Sequence, residues 1–129
     1  MPTSRSETVS VFAPFDVVVV PFPYTDRLAE KKRPAVVVSA PDVSAKYGLV
    51  WLLMVTSADN PAWECDVIVK DLKAVGLPAP SRVRTAKIAT ADAARIIAKI
   101  GRLSPDDEDA VMKKLKDLLA GMSNKKGRG

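Results

Sequence analysis

Histidine is absent from this 129-residue chain, and cysteine occurs once, at Cys65. A Ser-His triad and a His/Cys metal site are therefore excluded, and neither metal nor cofactor is expected. A single thiol forms no internal disulfide, which fits a reducing, cytoplasmic setting. Long apolar runs are missing too. The densest, Leu49 to Val55, is seven residues long, against the roughly 18 that a membrane-spanning helix needs. The segment Met1 to Phe12 carries Arg5 and Glu7 and has no apolar centre, so no signal peptide is expected.

What is present points to one small folded unit. At 129 residues the chain is long enough for one core and too short for two. An apolar fraction of 47% excludes global disorder. The net charge of +5 is unevenly spread: from Arg82 to Arg102 six cations face one acid, Asp92. Such a strip attracts polyanions, RNA or DNA being the usual ones. A basic surface without a specific partner is the plainer reading. The expected organisation is a flexible arm over 1–12, a domain over 13–121 and a basic disordered tail over 122–129.

The run Lys31-Lys32-Arg33-Pro34-Ala35-Val36-Val37-Val38-Ser39 is the most informative stretch. Pro34 pushes Arg33 away from helical geometry and, lacking an N–H, is best tolerated as the first residue of a strand. Val36 to Val38 then read as a buried strand. Arg33 is thereby expected at a rigid loop-to-strand junction, from which a guanidinium can grip a phosphate. Taken alone, the three cations equally describe a solvated loop.

The remaining pattern predicts strands over Phe15–Phe22, Pro34–Ser39, Leu49–Thr56, Asp66–Val69 and Arg82–Ala89. Asp42–Tyr47 and Ala74–Pro80 read as loops. Ile96–Leu103 reads as a further strand whose Ala-rich approach equally suits a helical turn. Ser104 as N-cap, Pro105 at the first helical position and the acids Asp106 to Asp109 open a helix to Ala120. Ala110, Val111, Leu115, Leu118 and Leu119 form its apolar stripe. Capping explains the acids without any catalytic role. Five or six strands closed by one C-terminal helix argue for a mainly β, α+β fold built on a small antiparallel barrel.

Asp16-Val17-Val18-Val19-Val20, Phe22-Pro23-Tyr24-Thr25-Asp26 and Arg33-Pro34-Ala35-Val36-Val37-Val38-Ser39 stand in order. Val55-Thr56-Ser57, Gly76-Leu77, Ser81-Arg82-Val83-Arg84 and Ile100-Gly101-Arg102-Leu103 follow. Together they resemble MazF/PemK-type toxins over about Phe15 to Leu119. One departure is that Phe15 stands where the family commonly has glycine.

The resemblance implies the SH3-like barrel with C-terminal helix shared by CcdB and MazF, and a homodimer. It implies a metal-independent endoribonuclease, an mRNA interferase, neutralised by an acidic antitoxin. By similarity the catalytic residues are Arg33 and Thr56, with Asp26 or Glu30 as acidic helper. Tyr24, Lys31, Lys32, Ser57, Arg82, Arg84 and Lys87 would hold single-stranded RNA. Tyr24 and Trp63 are candidates for base stacking, while Trp51 is expected in the core. An ordinary polar strand end is the plainer reading of Thr56-Ser57. Two other functions fit the fold: a CcdB-like toxin that binds gyrase, and an inactive RNA- or protein-binding relative.

Overall fold

The computed structural model describes residues 11–23 and 30–122. The expectations placed on Tyr24, Asp26, the start of the arm and the basic tail lie outside the described residues. In chain order the elements are β1 (Asp16–Pro23), β2 (Glu30–Val37), α1 (Pro41–Tyr47), β3 (Leu49–Ser57) and β4 (Asp66–Ile68). Then come α2 (Leu72–Val75), β5 (Ser81–Asp92), a 3-10 turn (Ala93–Arg95), β6 (Ala98–Arg102) and α3 (Pro105–Leu119). The strands make one six-stranded sheet in the order β4-β5-β3-β2-β1-β6, with every neighbouring pair antiparallel.

This is the expected mainly β architecture with a C-terminal helix. It departs from the expected barrel in one respect: among the described residues β4 and β6 do not pair, so the sheet stays open. Instead α2, which follows β4, packs on β6 backbone to backbone. A Cβ on Gly76 would collide with the carbonyl oxygen of Ile100, and one on Gly101 with the carbonyl oxygen of Ala74. Glycine is needed at both positions for that approach.

The valine-rich strands are continuous because both faces of the sheet are covered. Val17, Val36, Leu53, Val55 and Val83 point into one cluster with Val75 of α2 and Val111 of α3. Val18, Val20, Ala35, Val37, Leu52 and Met54 form a second cluster on the other face. Successive side chains alternate between the two, as the pleat dictates.

The start of α3 follows the sequence closely, whereas its far end tightens into a 3-10 turn, Ala120–Met122, that runs through Gly121 instead of stopping there. The Ser104 hydroxyl accepts from the backbone N–H of Asp107 at 3.3 Å, and Pro105 opens the helix. Asp107 does more than load the dipole. Its buried carboxylate accepts from the backbone N–H groups of Lys70 at 3.0 Å and Asp71 at 3.4 Å, tying α3 to the β4–α2 turn. Leu118 and Leu119 are exposed. The packed stripe is therefore shorter than expected and comprises Ala110, Val111 and Leu115.

Several expectations are corrected. The segment 41–47 is a helix, not a loop, and ends on Gly48 in the left-handed region at φ 68°. Part of 74–80 belongs to α2. The Ala-rich approach to β6 is a 3-10 turn, so both readings of that stretch apply to different parts of it. Trp51 is exposed, not core. Strand β2 begins at Glu30, not Pro34, which puts Arg33 inside a strand and not at its mouth. Pro34 is tolerated there because the β2–β3 ladder begins only at Ala35, opposite Met54. On its β3 side, residue 34 faces no strand that needs its N–H. No helix among the described residues is long and apolar enough to cross a membrane.

Candidate functional site

Where the β2–β3 ladder stops, the sheet opens. Continuing its register beyond Ala35–Met54 would set Pro34 opposite Val55 and Arg33 opposite Thr56. No hydrogen-bonded ladder forms there, and all four residues line a groove of about 550 Å³. Proline, which cannot donate to a ladder, stands at the point of separation. Lys31, Lys32, Ser57 and Asn60 continue the polar wall, and Leu77, Pro78, Ala79 and Pro80 supply a facing apolar one. A smaller cavity of about 70 Å³ adjoins it, lined by Arg33, Thr56, Phe22, Met54, Arg84 and Lys87 among others. Arg33 and Thr56, both half-buried, are thus shared by the two spaces.

Register explains which other cations join them. Arg82 sits directly across from Thr56 on β5 and from Ile68 on β4, so it shares their face. Its Nε and Nη1 donors are buried and have no hydrogen-bond partner among the described residues. Lys31 and Lys32 are exposed beside the groove, and Lys87 is exposed at the smaller cavity. Glu30 opens β2 opposite Pro23, but its side chain, like Tyr24 and Asp26, lies outside the described residues.

Arg84 is engaged differently. Its Nε lies 3.3 Å from Asp66 Oδ1, its Nη2 donates to the carbonyl of Pro61, and its guanidinium stacks on Trp63, 4.1 Å from the ring centroid. It therefore organises the β3–β4 loop while bordering the smaller cavity. Trp63 remains 45% exposed, with one ring face given to Arg84. The basic strip is also not one surface. Arg102 and Lys99 contact the buried Asp16 carboxylate at 3.0 and 3.3 Å, and Arg95 lines a separate cavity. The cations left facing the groove region are fewer, and Arg33 is at their centre.

A family model described as PemK-like, MazF-like toxin of type II toxin-antitoxin system matches residues 13–119. The chain belongs to that family. This MazF/PemK-family toxin resembles MazF from Deinococcus radiodurans at TM-score 0.68 and 22% identity, over 86% of this chain and 98% of that one. It also resembles an endoribonuclease in complex with its cognate antitoxin from a mycobacterial species, at TM-score 0.68 and 15% identity, over 84% and 94% of the two chains. The Mycobacterium tuberculosis toxin MazF-mt6 gives TM-score 0.61 and 20% identity, over 80% and 96%. At such identities the likeness is one of fold. Comparison with curated proteins finds no match.

In this MazF/PemK-family toxin the backbone at Phe15 takes a conformation that suits glycine. Phe15 is the one described non-glycine residue at positive φ, 74°, a region that glycine occupies without strain. Sequence reasoning missed two parts of the site. In the sequence Asn60 stands out only as half of an Asn-Pro break, although it follows Thr56 by four residues, a span one tight turn can close. The apolar wall over 77–80 was legible only as a loop.

Proposed function

We propose that this toxin is a metal-independent endoribonuclease that cuts single-stranded RNA. The 2′-oxygen of one nucleotide bonds to the adjacent phosphorus as its proton passes to a base. The bond from phosphorus to the 5′-oxygen breaks, and that oxygen takes up a proton. The products are a 2′,3′-cyclic phosphate and a 5′-hydroxyl.

The observation that carries this reading is the pairing of Arg33 with Thr56 across a gap in the sheet. A guanidinium's planar donors match the oxygens of a phosphorane, whose charge grows in the transition state. The Thr56 hydroxyl adds a second donor. Arginine keeps its proton at neutral pH, so Arg33 acts by charge, and the proton transfers fall to water and to Asp26 or Glu30. The facing walls suit a single strand: phosphates meet Lys31, Lys32 and Arg82, and bases meet the apolar side. The same groove suits an acidic, extended antitoxin segment, which also presents spaced negative charge. A homodimer in the cytoplasm completes the reading, and a monodisperse monomer in sedimentation at tens of micromolar contradicts that part.

The test is cleavage of an RNA oligonucleotide in EDTA with end-group analysis. Cyclic phosphate ends are expected, Arg33→Ala should abolish them, and Thr56→Ala should slow cleavage about 10²-fold, the cost of one transition-state donor. Loss of cleavage in EDTA, or a fully active Arg33→Ala, refutes the reading.

A further inference from the structure

We propose that Asn60 is a positioning residue that aims the hydroxyl proton of Thr56 into the groove; this rests on the ribonuclease reading and deepens it. The Asn60 side-chain amide donates from Nδ2 to Thr56 Oγ1 at 2.5 Å, and both residues line the groove. A hydroxyl has one proton and two acceptor lone pairs. Asn60 occupies an acceptor position, so the proton is directed elsewhere. Without this contact, threonine hydroxyls turn readily to nearby backbone carbonyls. With it, the staggered positions that remain include the groove, where a phosphate oxygen sits in the proposed reaction. Asn60 thereby makes Thr56 a donor at the moment negative charge develops.

The loop is built to hold that amide. The backbone N–H of Asn60 donates to the Ser57 carbonyl at 3.1 Å. Pro61 follows and restricts Asn60 to extended geometry. The carbonyl of Pro61 is itself held by Arg84, which Asp66 and Trp63 fix in turn. Arg84 thus reaches Thr56 through two residues of loop, without needing to touch RNA.

The discriminating substitution is Asn60→Asp. It keeps the size and shape but reverses the polarity, because a carboxylate accepts the Thr56 proton and draws it away from the groove. Steady-state cleavage of a short RNA oligonucleotide is measured for wild type, Asn60→Ala, Asn60→Asp, Thr56→Val and the double variant Asn60→Ala/Thr56→Val. Asn60→Ala should lower kcat about tenfold with KM within about twofold, as expected for one misdirected hydrogen bond. Asn60→Asp should lower kcat about 10²-fold. In the Thr56→Val background, Asn60→Ala should cost nothing further.

An equal cost of Asn60→Ala in both backgrounds, an effect confined to KM, or an Asn60→Asp variant more active than Asn60→Ala overturns the proposal. If wild type cleaves and Thr56→Val is fully active, the proposal falls while the ribonuclease reading stands on Arg33. A wild type that leaves RNA intact overturns both.

Discussion

Replacing Arg82 by methionine should make the protein more stable and a weaker RNA binder. The Nε and Nη1 donors of Arg82 are buried without partners among the described residues, and each such donor costs about 1–3 kcal/mol when desolvated. The residue as a whole is half-buried, so water reaches the rest of the guanidinium and the lower end of that range applies. Methionine keeps the unbranched stem and removes the donors. Two such donors at that lower end give an expected gain of about 2 kcal/mol, or roughly 8 °C in Tm for a domain of this size. Binding should move the other way. Losing one phosphate contact on a single strand lowers the slope of log K against log salt by about 0.7, which near 0.1 M salt is roughly fivefold in affinity. Calorimetry supplies the first quantity. Titration of an oligonucleotide carrying a 2′-deoxy sugar at the cleavage site, at several salt concentrations, supplies the second. A lower Tm with an unchanged salt slope would make Arg82 a packing residue and refute the reasoning.

At Phe15, held at φ 74°, glycine should be more stable than alanine by about 0.5–1 kcal/mol, because the left-handed penalty of about 1–2 kcal/mol exceeds alanine's usual entropic advantage. Both variants lose the ring, so only their order in urea unfolding matters, and alanine above glycine contradicts the strain. Asp107→Asn should cost about 1–3 kcal/mol, since an amide keeps one acceptor oxygen, loses the charge, and sets its NH2 where the other carboxylate oxygen accepts; an unchanged urea midpoint refutes this. An acidic antitoxin peptide and RNA should compete for the toxin, with the peptide weakening as salt rises. Simultaneous binding of both removes the shared groove.

The helix α3 was legible because every level agreed: cap, proline, acidic first turn and apolar spacing. Its neighbour α1 was not. Ala40 offers no side-chain cap, and a seven-residue helix owes its existence to packing, which a local pattern does not display. Pro34 suggests the start of a strand and marks instead the end of a ladder. Local chemistry tells that its N–H is missing, but not which neighbour would have wanted it. A place within a strand suggests the core for Trp51, yet the residue is exposed. Only the tertiary arrangement reveals that the cluster under α3 includes Leu53 and stops short of Trp51. For the candidate site, the ordered motifs single out Arg33 and Thr56 as candidates, and both line one groove. The motifs could not show that Arg84 is held by Asp66 and Trp63, because that grouping depends on two strands and a loop meeting in space.

The contact of Gly76 with Ile100, and of Gly101 with Ala74, bears on how such a toxin is lost by mutation. Every glycine codon begins with two guanines, and any change to either yields a residue with a Cβ or a stop. Each such residue would push the groove's apolar wall away from the edge strand on which it rests. A population selected to escape this protein thus has targets beyond Arg33. Two codons that supply no reacting group should collect inactivating lesions of almost every kind, and those alleles should yield little folded protein, whereas on the proposed reading an Arg33 lesion should leave a normal amount of inert toxin.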